Sequence, residues 1–345
     1  MIPSYRIDIF PRLFHFKKPA GTSRGVYTER RSWYVRVASA ACPGREGWGE
    51  CAPLPQLSVD DLPDYEGVLR GICAEVARTG QVDTERWREY PSMLFGLETA
   101  LRHLERGTYA LWDTPFSRGE EGICINGLIW MGDHDAMYRQ IREKLEAGFR
   151  CVKLKIGAIG FEEELDLLRF IRRYFPAREV ELRVDANGAF APAEALDKLK
   201  RLAELDLHSI EQPIRAGQWD EMAGLTSVSP LPVAFDEELI GHCSLEAKRR
   251  LLDALHPQYI VLKPSLHGGF SGCREWIEEA EKRNVGWWIT SALESNVGLN
   301  AIAQWCATWQ TRMPQGLGTG MLFTDNVPMP LEIRKDCLWY VADGD

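Results

Sequence analysis

Seven charged residues stand at or near the ends of short apolar runs: Lys153, Lys155, Arg183, Asp185, Glu211, Asp236 and Lys263. From Lys155 onward they recur at intervals of roughly 25–30 residues, about one strand–helix unit each. Asp185, Glu211 and Asp236 make a trio of carboxylates. Three like charges brought together raise one another's pKa unless a cation joins them. Oxygen ligands with no His or Cys beside them suit Mg²⁺, with Mn²⁺ as the alternative and Zn²⁺ disfavoured. Lysines flank the trio, Lys153 and Lys155 before it and Lys263 after it. A free lysine is charged at neutral pH and is no base. A second lysine on the same strand face, a divalent cation and partial burial all disfavour the ammonium form. That is the setting in which a lysine becomes a general base. A metal there stabilises the oxyanion left when a proton α to a carboxylate is removed.

The elements that must position these residues are legible as an alternation. Short apolar runs lie near 123–129, 151–156, 180–185, 208–211, 233–236, 259–263, 287–291 and 316–320. Amphipathic helix patterns fall between most of them, at 136–147, 162–174, 192–205, 245–255 and 274–283. Strands alternating with helices make βαβ units and a parallel sheet. Eight such strands over about 200 residues fit a closed (β/α) barrel, and a doubly wound open sheet is the competing architecture. Strands of a parallel barrel are buried on both faces and read as nearly continuous apolar runs. Here the charges interrupt them in a constant phase. In CVKLK, Val152 and Leu154 share one face and Lys153 and Lys155 the other. With the apolar face toward the helices, both lysines point into the barrel mouth. The same phase turns Arg183, Asp185, Glu211, Asp236 and Lys263 inward. A solvated strand end or a structural salt bridge explains any one of them. Seven in phase at the C-terminal end, where barrel enzymes place their chemistry, need a collective reason.

The rest of the chain frames that unit. Residues 1–118 mix strand-like runs at 4–10 and 32–39, a turn-rich stretch at 43–55 and helical patterns at 64–78 and 92–106, which suggests an α+β domain. The barrel then occupies 119–324, and a tail, 325–345, returns to the first domain. The 345 residues are 45% hydrophobic and 26% charged, an ordinary globular composition. With 41 basic and 50 acidic residues the net charge is −9, which speaks against a nucleic-acid partner. Nine cysteines without a CxxC pair point to reduced thiols in the cytoplasm. No basic segment precedes a long apolar run at the start, so no signal peptide is expected. The most apolar late stretch, 286–309, is broken by Glu294, Asn296, Asn300 and Gln304 and makes a poor membrane span.

KLK at 153–155, VDANG at 184–188, EQP at 211–213, DE at 236–237 and LKP at 262–264 together resemble the enolase superfamily, in its muconate-lactonizing subgroup, over nearly the whole chain. The resemblance implies an α+β capping domain on a (β/α)7β modified TIM barrel. It implies Mg²⁺ on Asp185, Glu211 and Asp236, with Lys155 and Lys263 on opposite faces of a small-molecule carboxylate substrate. Arg183 two residues before Asp185, TSALESNVGL at 290–299 and GLGTG at 316–320 are similar to the o-succinylbenzoate synthase family. That similarity implies a syn dehydration of 2-succinyl-6-hydroxy-2,4-cyclohexadiene-1-carboxylate to 2-succinylbenzoate, in menaquinone biosynthesis. Lys155 would take the α-proton and return it to the departing hydroxide, while Lys263 would lie over the opposite ring face as a cation. Dipeptide epimerases of the subgroup carry Asp-x-Asp where this chain reads Gly318-Thr319-Gly320. The expected substrate contacts are Arg183, Ser265, Ser291, Gly318 and Thr319. Asn187 either orients a metal ligand or closes a turn; Glu294 bridges to a lysine or sits in a loop. His267 is read as a loop histidine, and residues 21–31 (GTSRGVYTERR) as a lid. Three other functions stay open: an N-succinylamino acid racemase or other epimerase or cycloisomerase on the same scaffold, a Schiff-base aldolase with Lys263 as nucleophile, and a non-catalytic barrel that binds a small anion. The oligomeric state is not readable.

Overall fold

A computed structural model describes residues 5–22, 25–311 and 313–341. Its first strands are much longer than the sequence pattern suggests. β1 (Tyr5–Thr22) and β2 (Gly25–Ser39) form an antiparallel hairpin, and β3 (Glu46–Cys51) adds to β2. Pro11, which reads as a strand breaker, pairs opposite Trp33 inside β1. β1 is an edge strand, where a missing N–H costs no ladder bond. The stretch 21–31 is therefore not the free loop expected of a lid. Its two arms belong to the hairpin, and residues 23 and 24 lie outside the described residues.

α1 (Tyr65–Thr79) starts where the Asp64 carboxylate accepts the Gly67 N–H, and α2 (Pro91–Arg106) starts with proline in its first turn. Both pack on the three-stranded sheet through Val35, Val37, Leu69, Ile72, Met93, Leu97 and Leu104. α2 and β3 approach so closely that a Cβ on Gly49 would lie 1.8 Å from the Gly96 carbonyl oxygen. Only glycine fits there.

The remaining elements alternate: β4 (Ile123–Cys124), β5 (Gly127–Ile129), α3 (His134–Glu146), β6 (Cys151–Lys155), α4 (Phe161–Tyr174), β7 (Glu181–Asp185), α5 (Pro192–Ala203), β8 (Ser209–Glu211), α6 (Trp219–Val228), β9 (Val233–Phe235), α7 (Leu245–Leu255), β10 (Tyr259–Leu262), α8 (Gly269–Glu281), β11 (Gly286–Ile289), α9 (Asn296–Cys306), β12 (Leu331–Arg334) and β13 (Cys337–Tyr340). Strands β5 to β11 form one curled, seven-stranded parallel sheet in sequence order. Val152, Leu154, Leu182, Val184, Ile210, Val233, Phe235, Ile260 and Leu262 bury their side chains against the helices in one core. Each such burial is worth roughly 1.5–3 kcal/mol.

Two of the expected strands differ. The run at 123–129 is split, because β4 joins β12 and β13 in a small antiparallel sheet and only β5 enters the parallel one. Of the run at 316–320 only Gly316 makes a bridge, and Gln315 just before it makes another. Gly316 donates to the Ile289 carbonyl at 2.8 Å and accepts from the Ser291 N–H at 3.1 Å. On its other side, Gln315 donates to the Cys124 carbonyl at 2.8 Å and accepts from the Asn126 N–H at 3.0 Å. Three glycines in five residues leave little side chain to hold a longer strand. The tail touches both units: Asp325 accepts the His15 N–H at 3.0 Å, and the β12–β13 hairpin pairs with β4. No helix among the described residues is long and apolar enough to cross a membrane.

Candidate active site

The strand register decides which charges meet. Lys155 lies opposite Asp185, and Asp185 opposite Glu211, on one rung of the sheet. Glu211 then faces Ala234, so Asp236 stands two residues further along its chain. Continuing the β9–β10 register puts Lys263 two residues beyond Asp236. This stagger is what tilted strands need to bring side chains to one height. The side chains do converge. Lys153 Nζ donates to Glu211 Oε2 at 2.5 Å and lies 2.9 Å from Asp185 Oδ2. Lys155 Nζ donates to Asp185 Oδ2 and Asn187 Oδ1, both at 2.8 Å. Lys263 Nζ donates to Asp236 Oδ2. All three carboxylates are buried. Three lysine nitrogens thus face three carboxylates at the C-terminal ends of β6 to β10.

Burial works against every one of these charges, and the neighbours decide the outcome. Burial would raise the Asp185 carboxyl, but Lys153 and Lys155 hold it well below the usual range. Lys263 does the same for Asp236. Glu211 is pushed up by burial and by Asp185, more than Lys153 pulls it down. Burial alone would lower Lys153 and Lys263; instead the surrounding carboxylates, Asp185 foremost for Lys153 and Asp236 for Lys263, leave both raised. For Lys153 the expected loss of the ammonium form is therefore reversed, while Lys263 keeps the charge that its expected role as a cation needs.

A hard cation fits the donor set. Glu211 Oε1 and Asp236 Oδ1 are buried without a hydrogen-bond partner, a state that costs free energy unless a donor or cation answers it. Among the described residues no three acidic, His or Cys side chains already form a cation cage; the lysine ammoniums stand between the carboxylates. Oxygen-only donors of this kind suit Mg²⁺.

The backbone around the ligands is bent to serve them. Asn187 and Gln212, which follow Asp185 and Glu211, have φ of 44° and 41°, in the sparsely populated left-handed region. The turn lets the Asn187 N–H donate to Asp185 Oδ1 at 3.0 Å, and the Asn187 amide donates to Glu237 Oε1 at 3.0 Å. Gln212 Oε1 accepts the N–H groups of Asp236 and Glu238 at 3.3 and 3.1 Å. His267 Nδ1 accepts the Lys263 N–H at 3.0 Å, and burial pulls its pKa down to about 3, so the ring is a neutral brace.

Lys153, Lys155, Glu211 and Lys263 line a cavity together with Ser291, Gly318 and Thr319. The hydroxyls of Ser291 and Thr319 hydrogen-bond to each other. Two expected substrate contacts lie elsewhere. Arg183 faces inward but sits two residues deeper than Asp185, about 6.6 Å along the strand. Its guanidinium stacks on Trp288, 4.4 Å from the ring centroid, and donates to Glu181 at 2.7 Å and to the Pro314 carbonyl at 3.0 Å. Trp288 lines the cavity; Arg183 does not. Ser265 is fully buried and donates to Glu294. Among the described residues Glu294 bridges no lysine: its other oxygen accepts the Ala292 N–H at 2.7 Å.

The α+β unit holds this same loop from the other side. Arg30 donates to the carbonyls of Ala292 and Ala52. Glu50 accepts from the Ser295 N–H at 3.0 Å, the Ser295 hydroxyl at 2.5 Å and the Gly298 N–H at 3.0 Å, at the start of α9. Leu293, between them, has φ of 63°. Tyr27, Leu54 and Leu57 of the first unit also line the cavity, with Trp130 and Trp288 of the second. Sequence reasoning named none of the five, although Tyr27 lies in the stretch 21–31 read as a lid. Alternation along GWWI would have turned one tryptophan inward, whereas Tyr27, Leu54 and Leu57 carry no local signal.

A family model described as Enolase C-terminal domain-like matches residues 136–340, and one described as MenC, N-terminal domain, matches residues 22–104. A curated o-succinylbenzoate synthase of Desulfotalea psychrophila is 48% identical over 92% of this chain and 94% of its own length. Another, from Edwardsiella ictaluri, is 27% identical over 81% of this chain and 80% of its own. The crystal structure of MenC from Desulfotalea psychrophila matches with a TM-score of 0.82 at 41% identity, covering 97% of this chain and 99% of that one. A dipeptide epimerase from Enterococcus faecalis matches with a TM-score of 0.84 at 17% identity, covering 99% and 98% of the two chains, which shows the shared fold. The chain belongs to the enolase superfamily, within its o-succinylbenzoate synthase family.

Proposed function

We propose that this chain catalyses the Mg²⁺-dependent syn dehydration of 2-succinyl-6-hydroxy-2,4-cyclohexadiene-1-carboxylate to 2-succinylbenzoate, in the cytoplasm, as a step of menaquinone biosynthesis. One observation carries the reading. Lys155, at the end of β6, and Lys263, just after β10, flank buried carboxylates at the ends of β7 and β8 and just after β9, and both lysines line one cavity. In this reading residues 119–324 form a (β/α)7β barrel, with Gln315 and Gly316 as the closing eighth strand, and residues 1–118 form the cap that the tail rejoins.

Asp185, Glu211 and Asp236 would hold Mg²⁺, which when bound supplies positive charge against the substrate's developing carboxylate oxyanion. Lys155 Nζ takes the proton α to the substrate carboxylate. The same nitrogen, now an ammonium, gives a proton to the departing hydroxyl on that face. Lys263, four strands away, keeps its ammonium against the other face of the ring. Lys153 fixes Asp185 and Glu211 in place. Ser291, Gly318 and Thr319 form the wall that meets the succinyl side. The loop tied down by Arg30, Glu50 and Glu294 excludes water from the ring.

The paired lysines also suit proton exchange at the α-carbon of an N-succinylamino acid, a second reading on the same machinery. Ultraviolet detection of 2-succinylbenzoate, with and without Mg²⁺, on the wild type and Lys155→Ala, tests the first. Loss of the α-proton signal in D₂O tests the second. A folded, Mg²⁺-loaded wild type that turns over no cyclohexadiene substrate overturns the dehydratase assignment.

A further inference from the structure

Two cysteines face each other where the C-terminal hairpin meets the start of the parallel sheet. Cys124 on β4 and Cys337 on β13 are register partners in an antiparallel pair, and their Sγ atoms lie 3.6 Å apart. The Ile125 N–H donates to the Asp336 carbonyl at 2.8 Å. The ladder bond therefore sits one residue outside the pair, and Cys124 and Cys337 occupy a non-hydrogen-bonded site. Such sites bring Cα atoms to about 4.5 Å, inside the range of about 4.4–6.8 Å that a disulfide spans without moving the backbone. Cys124 is exposed and Cys337 half-buried, whereas Cys51, Cys73, Cys151, Cys273 and Cys306 are buried.

We infer that Cys124 and Cys337 are a reversible thiol-modification site, converted by a small-molecule disulfide such as glutathione disulfide into an intramolecular disulfide that clamps the C-terminal hairpin to β4. The Cys124 thiolate attacks one sulfur of the oxidant. A mixed disulfide forms, and the first glutathione leaves as its thiolate. Cys337 then loses its proton to that thiolate and attacks Cys124 Sγ. The protein disulfide forms, the mixed bond breaks, and the second glutathione leaves. Two electrons pass from the cysteines to the oxidant, and both thiol protons end on glutathione. Burial, then the bond to Cys124, pushes the Cys337 thiol up to about 12, so the first attack falls to the more exposed Cys124. In a reducing compartment the pair rests as thiols and closes when the disulfide fraction rises.

The clamp closes a loop spanning 213 residues, and long loops gain the most from cross-linking. It also sits beside the active cavity. The Cys124 carbonyl accepts the Gln315 N–H, and Asn126, two residues on, lines the cavity wall.

The fully reduced chain is equilibrated with glutathione disulfide, alkylated, digested without reductant and mapped by mass spectrometry, and its melting temperature is read before and after. The expected result is a peptide joining Cys124 to Cys337 and a rise in Tm on the order of 5 °C, both reversed by dithiothreitol. Cys124→Ser is expected to show neither, and Cys337→Ser to stop at a glutathione adduct on Cys124. Each variant's melt before oxidation checks its fold, and the wild-type map decides by itself if a variant fails. A wild type carrying only the adduct, no bond, or a bond between other cysteines overturns the inference. So does an unchanged Tm in the linked protein.

Discussion

Lys153→Met separates the electrostatics of the site from its catalysis. The methionine keeps most of the stem's volume and removes the ammonium. That ammonium lies 2.9 Å from Asp185 and 2.5 Å from Glu211, on a side chain only 10% exposed. Asp185 keeps Lys155 at 2.8 Å, but Glu211 loses the donor on Oε2 while Oε1 already lacks one. Removing one partner of a buried ion pair costs about 3–5 kcal/mol. At about 2 °C per kcal/mol for a chain of this size, the variant in EDTA melts roughly 5–10 °C below the wild type. A divalent cation restores the missing charge. At 100 times its dissociation constant it returns about 2.7 kcal/mol. The Mg²⁺-dependent rise in Tm is thus at least as large in Lys153→Met as in the wild type, since the ammonium no longer competes for the carboxylates. Calorimetry in EDTA and across a Mg²⁺ titration reads both quantities. Equal melting of the two proteins in EDTA would refute the ion-pair argument, and a Lys153→Met melting temperature that Mg²⁺ leaves unchanged would refute a shared cation site.

Three further expectations concern other parts of the molecule. Lys155→Ala lowers kcat by about 10²–10⁴-fold with little loss of stability, because Lys153 still holds Asp185; a variant within threefold of wild type in the ultraviolet assay would remove Lys155 from the proton transfer. Glu50→Ala strands the Ser32 hydroxyl and the Ser295 and Gly298 N–H groups and leaves the Ser295 hydroxyl with Tyr34 as its acceptor, so urea unfolding shows a loss of at least about 3 kcal/mol, and KM rises more than kcat falls if the loop at 291–295 positions substrate. Glu98 on α2 accepts the Phe270 and Ser271 N–H groups at the start of α8, and burial pushes its pKa from 4.5 up to about 7. The folded state therefore holds this proton more tightly than the unfolded state. The resulting stability is whole below pH 4.5 and is lost as pH rises through 7, on the order of 3 kcal/mol. Glu98→Gln flattens that slope, and identical slopes for the two proteins between pH 5 and 8 would contradict it.

The parallel sheet and the phase of its charges were legible because both rest on short-range rules. A strand alternates faces every residue, so apolar Val152 and Leu154 fix where Lys153 and Lys155 point. Helix ends were legible where a cap is local, as with Asp64 before α1 and proline at the start of α5. Signals carried by distant partners were not. The length of β1 depends on its place at the sheet edge, which excuses Pro11. The start of α8 lies five residues earlier than its amphipathic pattern suggests, at Gly269, where Glu98 from the other unit caps it. The split at 123–129 depends on a hairpin some 200 residues downstream (Cys124 and Cys337 are 213 apart).

Arg183 shows what periodicity leaves out. Its inward phase is correct, but phase says nothing of depth along the strand. Two residues separate it from Asp185, and within that distance the interior passes from a wet mouth to a packed floor. Trp288 marks the boundary, with one environment at the cavity and the Arg183 guanidinium on its ring. An inward arginine at that depth needs a ring and fixed acceptors to offset its burial, and Trp288, Glu181 and Pro314 supply them. The same depth argument works for the carboxylates in the opposite sense. Asp185, Glu211 and Asp236 are as deeply buried as Arg183, yet two of their oxygens have no donor. Arg183 Nη2 also lacks a partner, but its guanidinium lies over the Trp288 ring outside the cavity, whereas Glu211 lines the cavity and stands among like-charged neighbours. Like charges clustered with unpartnered oxygens, rather than inward phase alone, mark the trio as the place where a cation and a substrate would complete the structure.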